Sequence, residues 1–207
     1  MRVRVCVIDY GMGNITSIEN SLKFLAIKYD VISNYNDLKN YSHIILPGVG
    51  SFKMAMKNLR KIKLVQQIKN LVKRNEIKIL GICLGMQLLG KSSKENGKTN
   101  GLGLMNYEVD KFRKNKKIKI PHVGFNQIKI KKNKNHFFDQ IKNDADFYFV
   151  HSYKINSDKP FDFDYCTCNY DKEFLAGFNK NNIYGTQFHP EKSQSNGLTL
   201  LFNFLKS

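Results

Sequence analysis

Acidic residues are scarce in this chain: 17 Asp and Glu face 34 Lys and Arg, leaving 207 residues with a formal charge of +17. Such an imbalance invites a nucleic-acid partner, but the features that usually accompany one are missing. The lysines come as scattered Lys-Asn and Lys-Ile pairs, in "KNLRKIK" (57–63), "KFRKNKKIKI" (111–120) and "KIKKNKNH" (129–136). No aromatic-interleaved motif and no zinc-finger spacing goes with them. They read as solvated faces, so no nucleic-acid partner is expected. A basic face still has the reach to steer an acidic protein or a phosphorylated substrate toward it.

Cysteine is sparse as well. Cys6, Cys83, Cys166 and Cys168 fit no disulfide framework, and Cys166-Thr-Cys168 is too close for a typical bridge and lacks the second half of a zinc site. Reduced thiols and a cytoplasmic location are the expectation. No apolar run approaches the roughly 18 residues of a membrane helix, so no membrane partner is expected. The opening "MRVRVCVIDYGMGN" lacks the apolar stretch of an export signal. Prolines number four, and no Pro/Gly/Ser-rich linker or repeat interrupts the chain, so residues 1–207 are expected to form one domain.

What is present is an alternation of short apolar strands and helices. Residues 3–10 read as a buried strand, 15–27 as a helix with Ile15, Ile18, Leu22 and Leu25 at helical spacing, and 29–33 as a second strand. "HIILPGVGSF" (43–52) is another strand with a stop. A single basic amphipathic helix is predicted over 53–74, with Leu59, Ile62, Leu64, Val65, Ile68, Leu71 and Val72 on one side. A strand at 77–82 and a helix at 84–90 follow. After "GLGL" (101–104) the texture turns to strands and turns, and "GLTLLFNFLKS" (197–207) closes the chain as a helix. The expected class is α/β: a mostly parallel central sheet flanked by helices, with a smaller antiparallel portion around 105–180.

In open α/β sheets, reactive groups gather at the carboxyl ends of strands. Gly81-Ile82-Cys83-Leu84-Gly85 has the form of a nucleophile elbow with cysteine in place of serine. A helix starting after Cys83 turns its amides and positive dipole end toward the sulfur, which favours the thiolate. A buried structural cysteine is the plainer alternative. A nucleophile needs a base, and His189 has the best context: it ends a strand-like run, Pro190 keeps it out of helical geometry, and Glu191 is placed to orient the imidazole. The plain alternative is a turn at a strand end. "LPGVGSF" (46–52) offers backbone amides to an oxyanion, although glycine-rich turns are common.

Taken together, "PGVG", "GICLGMQLL" and "FHPEKS" resemble the class I glutamine amidotransferases, whose triad is Cys-His-Glu. "IDYGMGNITSI", "GLGL", "KIPHVGFN", "FYFVHSY" and "HPEKSQSNGL" extend the resemblance in order from residue 8 to 205. They point to the free-standing glutaminase subunits that serve a HisF-type cyclase of histidine biosynthesis. The resemblance implies that Cys83 is the acylating thiolate, His189 its base and acid, and Glu191 the orienting group. It makes Gly48, Val49 and Gly50 the oxyanion strand, subject to a peptide flip, with a second amide from Leu84. Gln87, His151, Ser152 and Tyr153 would contact the substrate L-glutamine, and no metal or cofactor is implied. Asn14, Phe125 and Lys192 match partner-facing positions, with an N-cap and a plain surface lysine as the bland readings of Asn14 and Lys192. Phe125 departs from the family's usual tryptophan, which loses an indole N–H and keeps an aromatic anchor. Two other readings are weighed: ammonia supply to a HisF-like partner that aminates a sugar for surface glycans, and a non-catalytic basic binding module. The triad does not separate the first from the histidine pathway. The second is expected to have lost a triad residue, and all three are present.

Overall fold

The computed structural model describes residues 3–34, 38–114, 118–157 and 160–207, so the middle of the lysine run at 111–120 lies outside the described residues. The first half runs β1 (Val5–Ile8), α1 (Ile15–Phe24), β2 (Tyr29–Ile32), β3 (His43–Leu46), α2 (Phe52–Lys61), α3 (Val65–Lys73), β4 (Lys78–Ile82) and α4 (Leu84–Leu89). The second half is mostly strand: β5 (Ser92–Ser93), β6 (Thr99–Asn100), β7 (Glu108–Lys111), β8 (His122–Lys132), β9 (Asp146–His151), β10 (Tyr153–Lys154), β11 (Asp164–Tyr170), β12 (Lys172–Lys180) and β13 (Ile183–Thr186). Helix α5 (Gln194–Lys206) ends it, starting three residues earlier than the sequence suggests.

Nine strands form one sheet in the order β2-β1-β3-β4-β13-β12-β11-β8-β9. Pairing is parallel from β2 to β13 and antiparallel from β13 outward. The antiparallel strands therefore continue the central sheet rather than forming a body of their own. A small second sheet, β10-β7-β5-β6, lies apart from it.

Strands β1 and β3 are buried along their whole length, as near-continuous Val/Ile/Leu runs require. Their side chains alternate between two cores. Cys6, Ile8, Ile44, Leu46 and Ile79 pack with Phe52, Met56, Leu59, Ile68 and Leu71 of α2 and α3. Val5, Val7, Ile45, Leu80 and Ile82 pack with Ile18 and Leu22 of α1 and with Leu200, Leu201 and Phe204 of α5. The period-two pattern of three short strands thus places helices on both faces.

The predicted helix over 53–74 is two helices, and this corrects the sequence reading. Lys63 takes φ +58°, its N–H bonds to Arg60 O at 3.0 Å, and Leu64 N–H reaches back to Leu59 O at 3.4 Å. That pair of bonds is the Schellman termination, here without the usual glycine. Leu59, Leu64, Ile68, Leu71 and Val72 are all buried as expected. The break preserves the buried side, so periodicity alone could not detect it.

Candidate active site

Strands β4 and β13 run side by side in parallel, with Ile82 opposite Thr186. The residue after Ile82 is Cys83, and three residues after Thr186 comes His189. Cys83 adopts φ +53°, ψ −108°, a left-handed conformation that costs a non-glycine residue on the order of 1–3 kcal/mol. It is held there by its N–H bonding to Thr186 O at 2.7 Å and by its carbonyl accepting from Gln87 N at 3.2 Å. The flanking glycines are needed for close approach. A Cβ on Gly85 would lie 1.8 Å from Leu46 O, and one on Gly81 would lie 2.6 Å from Met86 N.

The thiol is buried and meets two polar neighbours: Gln187 Nε2 at 3.6 Å and the Val150 carbonyl at 3.7 Å. Helix α4 is only six residues long, and its first amide, Leu84 N–H, is already bonded to Gly48 O at 3.3 Å. The dipole anticipated from the sequence is therefore short.

Segment 189–193 leaves β13 as a helical turn. His189 Nδ1 meets Glu191 Oε1 at 2.7 Å, with only 3% and 2% of the two side chains exposed. Burial pulls the imidazole down, but Cys83 and Glu191 outweigh it and raise its pKa from 6.5 to about 10. His189 Nε2 is buried without a hydrogen bond. Cys83 favours the protonated imidazole through its charge and as a hydrogen-bond partner, and no other group holds Nε2 among the described residues.

The oxyanion candidates sit at the site in a closed arrangement. Gly50 has φ +94°, and a Cβ on Gly48 would collide with the Tyr10 hydroxyl at 2.3 Å. Leu84 N–H is taken by Gly48 O, and Val49 N–H by Met12 O at 3.2 Å. Both amides are occupied by carbonyls from their own chain. Turning the Gly48–Val49 peptide over would remove the Gly48 carbonyl from Leu84 and swing in the Val49 amide.

Beside the sulfur lies a cavity of about 430 Å³, in the range of small-molecule sites. Val49, Gly50, Leu84, Cys83, Gln87, His151, Ser152 and Tyr153 line it, joined by Ser51, Glu95, Pro121 and Val150, which the sequence did not single out. Gln87 donates through Nε2 to Tyr153 O at 3.1 Å and to Gln187 Oε1 at 2.9 Å. His151 contributes its ring to the wall, with both nitrogens engaged inside the protein. Tyr153 O can only accept, so His151 Nδ1 carries the proton at 2.7 Å, and His151 Nε2 accepts from His122 Nδ1 at 3.1 Å. Burial pushes His122 down to about 4 and His151 down to about 3, which keeps the chain of bonds neutral.

A buried thiol at a cavity, with a pair of amides beside it that one peptide turn would open and a buried histidine-carboxylate pair coupled to it from outside the cavity lining, is an arrangement suited to acyl transfer. The family model for class I glutamine amidotransferases matches residues 6–207. The chain belongs to that family. It is 45% identical over 205 residues to the imidazole glycerol phosphate synthase subunit HisH 1 of Parasynechococcus marenigrum, covering 98% of this chain and 97% of the relative. The HisH subunit of Caldanaerobacter subterraneus is 43% identical over 198 residues, covering 96% and 95%. Among solved structures, PurLQS from Thermotoga maritima superposes with a TM-score of 0.74 at 19% identity, over 100% of this chain and 99% of that one, a likeness of fold.

The remaining candidates of this amidotransferase lie outside the cavity. Phe125 on β8 is 51% exposed and Val123 is 56% exposed. The Phe125 ring packs edge-on to Tyr148 at 5.5 Å, and Lys192 Nζ lies 5.7 Å over the same tyrosine. Together they form an exposed aromatic and cationic patch on β8, β9 and the turn that carries Glu191. Asn14 caps α1, its Oδ1 accepting from Ser17 N at 3.3 Å.

Two residues at the sulfur escaped the sequence reading. Tyr10 donates to Pro47 O at 2.7 Å beneath the oxyanion strand, and burial, Cys83 and Asp9 all push its phenol up. No local pattern marks it. Gln187 was legible in principle: two residues before His189 in an extended segment, it projects to the same side.

Proposed function

We propose that the chain is the glutaminase subunit of a cytoplasmic imidazole glycerol phosphate synthase, a single amidotransferase unit that passes ammonia to a HisF-type cyclase making imidazole glycerol phosphate and AICAR in histidine biosynthesis. The carrying observation is the buried His189–Glu191 pair, 2.7 Å apart and electrostatically coupled to Cys83, whose residue lines the cavity. The names of the relatives supply the pathway.

In this reading glutamine enters with its carboxamide against Cys83 and its amino-acid end toward Gln87 and Tyr153. The thiolate attacks the carboxamide carbon. The tetrahedral oxyanion is received by the Leu84 and Val49 amides once the Gly48–Val49 peptide has turned. Imidazolium His189 gives its Nε2 proton to the departing nitrogen, the C–N bond breaks, and ammonia leaves a glutamyl thioester. His189 then takes a proton from water, which attacks the thioester, and the C–S bond breaks to give glutamate and the thiolate. Glu191 keeps the imidazole oriented and offsets its charge. The closed amides describe a resting subunit, and the Val123–Phe125–Tyr148–Lys192 patch is the face for the cyclase, next to the base that the partner would influence. Phe125 fills the anchor position without an indole N–H.

Glutamate release by the purified chain, alone and with a HisF-type cyclase and its ribonucleotide substrate, tests the proposal. Low basal release, strong stimulation by cyclase plus ligand, and loss of both in Cys83→Ala with the fold intact are expected. Retained activity in Cys83→Ala would sink the mechanism, and no stimulation in the parent chain would sink the histidine-pathway assignment.

A further inference from the structure

We propose that Gln187 is a positioning residue that holds the Cys83 sulfur in its reactive orientation and charge state and ties it to the substrate wall through Gln87. This rests on the proposed nucleophilic role of Cys83 and deepens it.

Gln187 is fully buried. Its backbone is pinned by a bond from its N–H to Ala176 O at 2.7 Å. The direction of its side-chain amide follows from donor and acceptor logic. The Tyr153 carbonyl can only accept, so the Gln87 atom 3.1 Å away is nitrogen. The second hydrogen of that nitrogen requires an acceptor on Gln187, which places Gln187 Oε1 at 2.9 Å. The remaining end of Gln187 is then its NH₂ group, 3.6 Å from Cys83 Sγ. Each step forces the next, from Tyr153 in the cavity wall to the sulfur.

Besides the His189 imidazole, which acts on it electrostatically, the sulfur has one other hydrogen-bond contact, the Val150 carbonyl at 3.7 Å. A carbonyl accepts from S–H and so favours the thiol. An N–H donor favours the thiolate and repels nothing when the proton has gone. These two hydrogen-bond contacts act in opposite senses, and Gln187 is the one of the pair that favours the nucleophilic form, adding to the charge of His189. Helix α4, with six residues and its first amide occupied, adds little to that task. Because Gln87 lines the cavity, a ligand that shifts the Gln87 amide also shifts the Oε1 partner of Gln187.

The test is the pH profile of Cys83 alkylation by iodoacetamide on the full chain, read by mass spectrometry. Background is low because burial raises the other thiols, Cys6 and Cys168 to about 12 and Cys166 well above its ordinary range. Gln187→Met keeps the volume and removes both hydrogen bonds. Its alkylation midpoint is expected to rise by about one pH unit, with about tenfold less labelling at neutral pH. Glutamate release is expected to lose a similar factor in kcat, with KM for glutamine nearly unchanged. A purely packing role would lower thermal stability and leave the midpoint in place. Gln87→Met, which frees Gln187 Oε1, is the second variant and should shift the midpoint the same way by less, whether or not Gln187→Met folds. A profile superimposable on the parent in the folded variant overturns the inference alone. A parent chain whose Cys83 resists alkylation and that releases no glutamate overturns the nucleophile reading, and this inference falls with it.

Discussion

Val49→Pro isolates the step on which the resting state turns. In the closed arrangement two backbone bonds must break, Leu84 N–H to Gly48 O at 3.3 Å and Val49 N–H to Met12 O at 3.2 Å. Neutral hydrogen bonds contribute about 0.5–1.5 kcal/mol each, so opening costs about 1–3 kcal/mol. The open form then makes up between roughly one molecule in six and roughly one in 160, which sets how far cyclase and ligand can raise the rate. Proline at 49 removes the bond to Met12 and so loosens the resting state, yet it also removes the N–H that opening would deliver to the oxyanion. Losing one such donor costs about 10²–10³ in kcat. The fully stimulated complex should therefore lose that factor in glutamate release at saturating glutamine, with KM little changed. Iodoacetamide labelling of Cys83 needs no oxyanion and should proceed as in the parent. Stimulated turnover within about threefold of the parent would show that the Val49 amide is not a donor. Loss of labelling as well would show that the variant has damaged the elbow and not the hole.

Two further outcomes are expected. His189→Ala should cost about 10²–10⁴ in kcat, as loss of a proton-transferring group does, and Glu191→Ala less, because the carboxylate orients the imidazole and does not itself transfer the proton; steady-state assays giving equal losses would place Glu191 in the proton transfer itself. Stability should fall on acidification, because burial holds His122 and His43 down to about 4 and His151 down to about 3, against about 6.5 unfolded. That contribution is complete above pH 6.5 and is lost as pH falls toward the folded values, by up to about 1.4 kcal/mol per pH unit for each histidine. Urea midpoints that stay flat from pH 6.5 to 5 would contradict the buried neutral pair. His189 has the opposite sign, its contribution being present below pH 6.5 and lost as pH rises through about 10.

The alternating strands and helices of the first half were legible because strands β1, β3 and β4 are short, apolar and bounded by turn residues. The elbow was legible because Gly81 and Gly85 leave no alternative at that approach. Lys63 was not, since a left-handed helix stop without glycine carries no composition signal, and the apolar side continues across it. Nor could the letters show which amides of "PGVG" were already bonded. Gly48 and Met12 carbonyls are acceptors in every sequence, and only the fold decides where they point. Gln87 and Gln187 stand a hundred positions apart, and their contact depends on β4 and β13 being neighbours, a crossing that no local window contains.

Strand β9 is the last in a nine-stranded sheet, and such an edge ordinarily offers a row of unpaired backbone groups to other chains. Here much of that row is bonded from within the chain. Asp146 O accepts from Asn196 Nδ2, Tyr148 bonds outward to Ser193 Oγ and His189 N–H, and Val150 O faces the Cys83 sulfur. The segment that carries the chemistry is therefore also the cover of an aromatic strand, "DFYFVH", with high β-propensity. Damage to residues 189–193 would uncover that strand and cost solubility together with turnover. Insoluble expression of such variants is then a direct consequence of how the site is built.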